Sequence, residues 1–165
     1  MQYNGQMGGY MKKIFLLFLL LIMGGICLAE DLQDVQNFFN EYTEAGNSYS
    51  SDFFDYYSNN AKIIRIVEKP DGTYESVNIP LDKYKNEVKK STILMKMRKY
   101  KNFYSNIKIL PFGKDYKISA LRQPSTSDYK VPAHFIVGKD TKGNWKIKEE
   151  SMNTKVQEFL SKKNI

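Results

Sequence analysis

The spacing of hydrophobic residues changes several times along the chain after residue 30. Apolar side chains recur at helical spacing in 31–45, with Asp31 at the N-cap position, and aromatic residues crowd into 51–58. A further apolar stripe follows Pro80 and runs to about residue 99, and proline is well suited to the start of a helix. The pattern therefore predicts three helices, of which the second is short.

Alternation of apolar and polar residues marks most of the remaining chain as β-strand. The segment Lys69–Gly72 (KPDG) is a turn signal between the first two strands, and the polar segment 139–144 joins the last two. A short closing helix is expected at 154–163. The predicted strands cover residues 61–68, 73–79, 103–110, 116–123, 133–138 and 145–153.

This order of elements predicts a single domain of the α+β class. Helices that are separate in sequence from a run of consecutive strands pack on one face of an antiparallel sheet. We expect a strongly curved antiparallel sheet wrapped around the N-terminal helices, in one domain formed by residues 30–165 of the 165-residue chain.

Residues 1–29 predict an export signal that precedes this domain. Lys12 and Lys13 stand before an apolar run, and Ala29 is a small residue at the position before a cleavage site. The stretch from Ile14 to Ala29 has 16 residues, whereas a membrane-spanning helix needs about 20. We expect cleavage before Glu30 and a periplasmic or secreted protein, with residues 1–10 as an upstream or non-native extension.

Two alternatives would leave the signal segment in a membrane. It can stay uncleaved as an anchor, or Cys27 can be acylated, although Ile26 stands where a lipoprotein signal carries a small residue. Contact with a membrane is expected only in these two cases. A chain cleaved before Glu30 has no cysteine, which excludes disulfides and thiol chemistry.

Charge and composition exclude several classes of function. The chain has a net charge of +7, and removal of Lys12 and Lys13 leaves 23 basic and 18 acidic side chains. The lysines are dispersed, which is typical of a soluble surface, and we expect no binding to nucleic acid. One histidine and scattered carboxylates give no metal-ligand spacing, and no phosphate loop or dinucleotide fingerprint is present. We therefore expect no metal and no cofactor.

Two segments resemble parts of a known superfamily. Residues 52–63 (DFFDYYSNNAKI) are similar to the helix-to-first-strand passage of NTF2-like domains, and residues 143–151 (GNWKIKEES) are similar to their final Gly-x-Trp-x-Ile strand. The resemblance covers nearly all of 31–153 and implies a cone-shaped fold like that of SnoaL-like and ketosteroid-isomerase-like members. It also implies an apolar pocket inside the cone and a homodimer through the open sheet face. The superfamily includes enzymes and binding domains, so the resemblance assigns no activity.

The polar residues expected near such a pocket come from both layers of the fold. Tyrosine hydroxyls on the helical side need hydrogen-bond partners when buried, which backbone carbonyls can supply as well as a ligand. An arginine at the end of its strand can meet an anionic ligand, or it can cap the edge of the sheet. The candidate ligand-binding residues are Tyr42, Tyr56, Arg122, His134, Glu149 and Ser151.

His134 is the only histidine, and its position suggests an acid–base pair. If the turn places Lys139 opposite Asn144, then His134 lies opposite Glu149, with Cβ atoms about 4.5–5.5 Å apart. The carboxylate would raise the imidazole pKa and orient the ring as a general base. The alternative is a cross-strand pair on a solvated face, and a slip of one residue would move His134 to the other face. No catalytic residue is therefore assigned firmly.

Three functions remain open from the sequence. We favour an exported domain that binds a small apolar or amphipathic ligand, or a protein partner, without catalysis, because no convincing acid–base set is present. The second hypothesis is an isomerase or dehydratase that uses His134 and Glu149. The third is a subunit of an envelope or secretion assembly that is anchored by an uncleaved apolar segment.

Expression of the full chain in a bacterial host tests the export prediction. We expect the exported protein to begin at Glu30 by N-terminal sequencing and intact mass, and Ala29→Arg to block processing because a small residue is required there. Asp31→Asn, beyond the cleavage site, should be processed normally. An intact amino terminus in the membrane fraction would contradict cleavage, and a lipid mass on Cys27 would support the lipoprotein alternative.

Overall fold

The computed structural model describes residues 30–162, so the predicted export signal lies outside the described residues. All six predicted strands form, and no helix within 30–162 is long and apolar enough to cross a membrane. The elements are α1 (30–47), a first 3₁₀ helix (Ser51–Tyr56), β1 (Tyr57–Glu68), β2 (Tyr74–Ile79), α2 (Leu81–Met97), β3 (Asn102–Phe112), β4 (Asp115–Pro124), β5 (Val131–Lys139), β6 (Trp145–Thr154) and a second 3₁₀ helix (Gln157–Lys162).

The six strands form one curved, open sheet in the order β2-β1-β6-β5-β4-β3. Neighbouring strands are antiparallel except β1 and β6. These two run parallel because β1, and not β2, is the strand of the first hairpin that lies beside β6. The predicted α+β class is confirmed. The parallel pair makes the sheet mixed, which the expectation of an antiparallel sheet did not include.

The core lies between α1 and the concave face of the sheet. Val35, Phe38, Phe39 and Tyr42 occupy the predicted apolar stripe of α1, and all four are buried. The ring of Phe39 lies 5.1 Å from that of Phe135 on β5, in an edge-to-face arrangement. Full burial of one such side chain contributes about 1.5–3 kcal/mol, so this stripe holds the helix on the sheet.

The chain leaves the first 3₁₀ helix earlier than the sequence predicts. The side chain of Ser50 accepts a hydrogen bond from the backbone N–H of Asp52 and caps the start of this helix. Tyr57, which the sequence places inside a helix at 51–58, has extended backbone and begins β1. The extended backbone directs the Tyr57 side chain into the core, where it is 4% exposed.

The β5–β6 turn encloses one more residue between the paired strand ends than predicted, and this changes the register. The Asp140 carboxylate accepts backbone hydrogen bonds from Lys142 and Asn144, and the Asp140 N–H donates to the Asn144 carbonyl. Lys139 therefore pairs with Trp145 instead of Asn144, so the predicted register was wrong.

A β-bulge then shifts the pairing by one more residue. Val137 pairs with Ile147, but Ile136 pairs with Glu149, which leaves Lys148 without a partner on β5. From this point the residues of β6 that face the core are one position later than strict alternation from Trp145 predicts.

Candidate ligand-binding cavity

A cavity of about 350 Å³ lies between α1, α2 and the concave side of the sheet. Its lining combines an apolar wall with several tyrosine rings and two guanidinium groups, those of Arg65 and Arg122. The apolar wall is formed by Val88, Met95, Met152, Val156 and Phe159.

The carboxylate of Glu150 on β6 is fully buried behind the cavity wall. Arg65 on β1 donates a hydrogen bond to Oε1 at 2.6 Å, and the Tyr42 hydroxyl donates to Oε2 at 3.0 Å. The Tyr57 hydroxyl donates to Oε2 as well and lies 3.0 Å from the Tyr42 hydroxyl. Because both carboxylate oxygens have partners, the cost of removing the charge from water is offset.

The bulge at Lys148 determines which carboxylate enters the core. Ile147 faces the core before the bulge, and Glu150 is the next residue of β6 to do so. Glu149 instead lies opposite Ile136 on the outer face of the sheet. A regular strand would have placed Glu149 in the core, so the bulge is the structural basis of the buried ion pair.

Burial widens the pH range over which the tyrosine hydroxyls around Glu150 stay protonated. Desolvation raises the pKa of Tyr42 and Tyr57 well above 10.0, and the negative charge of Glu150 raises both further. The same two causes raise the pKa of Tyr84 to about 12. At neutral pH these hydroxyls are therefore hydrogen-bond donors, and the network contains one negative charge, matched by Arg65.

Arg122 on β4 brings a second positive charge to the cavity. Its Nε donates to Asn102 Oδ1 at 2.8 Å, and its Nη2 donates to the Tyr100 hydroxyl at 2.9 Å. Asn102 is itself held by two hydrogen bonds with Asn47 at the end of α1. None of the ion pairs formed within residues 30–162 includes Arg122. Its guanidinium is thus oriented by neutral acceptors alone.

Solved structures share this arrangement of a bent sheet around helices. An NTF2-like protein with a cystatin-like fold from Novosphingobium aromaticivorans superimposes with a TM-score of 0.61 at 7% identity, over 80% of this chain and 86% of that one. An NTF2-like protein of unknown function from Pseudomonas putida superimposes with a TM-score of 0.51 at 9% identity, over 73% of this chain and 84% of that one.

The chain has the NTF2-like fold. The predicted cone is thereby confirmed, whereas such low identities carry no information about activity. No protein-family model matches the chain, and no protein with a curated description matches it either.

Two of the six predicted site residues line the cavity of this NTF2-like cone. Tyr42 reaches it from α1 and Arg122 reaches it from β4. Their roles in binding a ligand stay predictions. Tyr56 lies elsewhere: its ring packs 5.6 Å from that of Phe38 and lines an open groove beside Trp145.

The other three predicted residues lie on the outer face of the sheet. His134 pairs with Ser151, so the expected pairing of His134 with Glu149 was wrong. The Nδ1 atom of His134 lies 3.1 Å from the Ser119 hydroxyl. Burial, followed by the positive charge of Lys117, lowers the pKa of His134, whereas the predicted pair required a raised value. Neither member of the proposed acid–base pair faces the cone.

The sequence interpretation missed Glu150, Arg65 and Tyr57. For Arg65 a signal was available, because strand alternation places it on the face of Ala61 and Ile63, which is the apolar face of β1. A charged residue on an apolar face needs a buried partner. The partner could not be identified because its position depends on the bulge.

Replacement of the two adjacent glutamates tests this arrangement. We expect Glu150→Gln to lower the free energy of unfolding by about 3–5 kcal/mol, because it leaves Arg65 buried without a counter-charge. Glu149→Gln, on the outer face, should change it by no more than about 0.5 kcal/mol. Urea denaturation of both variants measures the difference. If both variants lost the same free energy of unfolding, the two carboxylates would have similar surroundings, and the bulged register would be ruled out.

Proposed function

We propose that this domain binds a small amphipathic anion in the cone cavity and does not transform it. The observation that carries the proposal is the Arg122 guanidinium, which is oriented toward the cavity by Asn102 and Tyr100 and has no carboxylate partner among the described residues.

The size and lining of the cavity suit such a ligand. Small-molecule sites occupy roughly 300–1,000 Å³ and combine apolar walls with a few polar groups, and this cavity has about 350 Å³. Met95, Met152 and Phe159 offer an apolar surface for the body of the ligand. Methionine side chains adapt their shape easily, which is consistent with a ligand of flexible outline.

The balance of charge favours an anion. Arg65 is neutralised by Glu150, so the charge of Arg122 is the excess charge of the cavity lining. The partly buried guanidinium of Arg122 offers planar donors that match a carboxylate, sulfonate or phosphate. In a partly desolvated cavity this attraction is stronger than in water.

The arrangement offers no acid–base pair for catalysis. Glu150 accepts three hydrogen bonds behind the wall, and the neighbouring tyrosines hold their protons tightly. Among residues 30–162 no group of three His, Cys, Asp or Glu side chains is placed to hold a metal ion. The engagement of the Glu150 carboxylate with Arg65 and two tyrosine hydroxyls supports binding over an isomerase or dehydratase reaction.

We also propose that the protein acts after export and forms a homodimer through the outer face of the sheet. The signal-like segment 1–29 supports export. Phe103, Leu110 and Phe112 on the outer side of β3 are more than half exposed and support a contact between copies on this face. Anchoring by an uncleaved segment remains the alternative.

A pair of fluorescent probes tests the role of Arg122. 1-Anilinonaphthalene-8-sulfonate and N-phenyl-1-naphthylamine share one aromatic body, but only the first carries an anionic group. We expect Arg122→Gln to weaken binding of the sulfonate probe about tenfold or more, because a charge-assisted hydrogen bond contributes about 1.5–3 kcal/mol. Binding of the neutral probe should change little.

Lys130→Gln provides the control, since it removes one positive charge as Arg122→Gln does, and Lys130 is exposed just before β5 and does not line the cavity. It should leave both affinities unchanged. If Arg122→Gln and wild type bind the sulfonate probe equally, then Arg122 is not the anchor. If neither probe binds saturably to the wild-type chain, the proposed function fails.

A further inference from the structure

The second half of α2 exposes large apolar side chains on the side that faces away from the cavity. Val88, Ser91 and Met95 line the cavity, whereas Ile93 is 73% exposed and Met97 is 76% exposed. A surface helix normally has one apolar stripe, which faces the core. Here Ile93 and Met97, one turn apart, form a second apolar stripe on the solvent side, with Leu94 beside it at 47% exposure.

The same part of the chain has an unusually one-sided charge. After Glu87, the next acidic residue is Asp115. Between them lie eight exposed cationic side chains, and six of these belong to the second half of α2 and the turn that follows it. Lys96 lies 5.9 Å from the centre of the Tyr49 ring, and none of the six takes part in an ion pair within residues 30–162. These side chains are Lys89, Lys90, Lys96, Arg98, Lys99 and Lys101.

The end of α2 holds this surface in place. The N–H of Tyr100 donates to the Met95 carbonyl at 2.9 Å, which closes the helix in a Schellman-type turn. The Tyr49 hydroxyl donates to the Tyr100 carbonyl at 2.7 Å and ties the turn to the segment after α1. Lys99 occupies the left-handed position of the turn, with φ 49°, where glycine would cost less.

We propose that the surface formed by Ile93, Leu94, Met97 and the six cations docks the folded domain on an anionic lipid surface. α2 has 17 residues and does not span a membrane, so it would lie in the plane of the interface. The three apolar side chains would enter the boundary between headgroups and acyl chains, and the cations would meet the headgroup phosphates.

The combination of apolar and cationic groups favours lipid over other anionic partners. A nucleic acid would engage the cations through its phosphates but would leave Ile93 and Met97 in water. An anionic bilayer uses both kinds of side chain at once. This docking differs from the membrane contact expected from the sequence, because it depends neither on residues 1–29 nor on occupancy of the cavity.

A probe on the outward stripe tests the proposal at the level of a single site. In the full chain, Cys27→Ser removes the one native cysteine and Met97→Cys accepts an NBD fluorophore. We expect its emission to rise and shift to the blue with vesicles of phosphatidylglycerol and phosphatidylcholine, and to stay unchanged with pure phosphatidylcholine. The same label on Thr141→Cys, in the β5–β6 turn, should not respond to either vesicle.

Charge variants of the labelled chain test the electrostatic part. Each cation removed should weaken binding to the anionic vesicles about fivefold, so Lys89→Gln with Lys90→Gln should weaken it roughly 25-fold. Lys114→Gln with Lys142→Gln, which removes two exposed cations elsewhere, should have little effect. Lys99→Gly should weaken binding without lowering stability, because glycine suits the backbone at that position.

Three results would overturn the proposal. The NBD emission at residue 97 could fail to change with anionic vesicles, or it could change as much with pure phosphatidylcholine. The label at residue 141 could also change its emission as much as the label at residue 97. If the two double lysine variants lost equal affinity for anionic vesicles, the net charge of the protein alone would account for binding. A response at residue 97 that appears without vesicles and grows with protein concentration would assign the surface to a contact between copies of the chain.

Discussion

The buried ion pair between Arg65 and Glu150 is the interaction on which the rest of the structure depends. It joins β1 to β6 across the parallel pair of the sheet, and the hydroxyls of Tyr42 and Tyr57 connect it to α1 and to the first residue of β1. An ion pair in a core stabilises little compared with apolar packing, but loss of either partner is very costly. The pair therefore constrains the register of three elements more than it adds to their stability.

This constraint also determines the chemical character of the cavity. Glu150 neutralises Arg65 and leaves Arg122 as the charge that a ligand would meet. Had β6 continued without its bulge, Glu149 would have faced the core, and the carboxylate would have met β1 at a different position. The single extra residue in β6 thus determines that Glu150 is the buried carboxylate and that Arg122 remains available to bind a ligand.

The sequence predicts the elements well and the site poorly, and the reason is physical. Helical stripes and strand alternation follow from local spacing, so α1, α2 and six strands are correctly predicted. The position of a charged side chain depends on non-local register. The Asp140 turn and the bulge at Lys148 move His134 and Glu149 to the outer face. The sequence indicates a turn at 139–144 but not which residues pair across it, and it does not indicate the bulge. Arg65 is the exception, because its place on an apolar face is visible in the alternation of β1.

The position of α2 relates the two proposed binding surfaces. One side of the helix lines the cavity through Val88 and Met95, and the other side carries Ile93 and Met97 among cations. Only the width of one helix, about 10–12 Å with side chains, therefore separates a cavity suited to amphipathic anions from a surface suited to anionic lipid. Amphipathic anions partition into such interfaces, since their apolar bodies leave water there. A domain docked through α2 would hold its cavity next to the phase in which its ligands concentrate, although each binding event depends on different side chains.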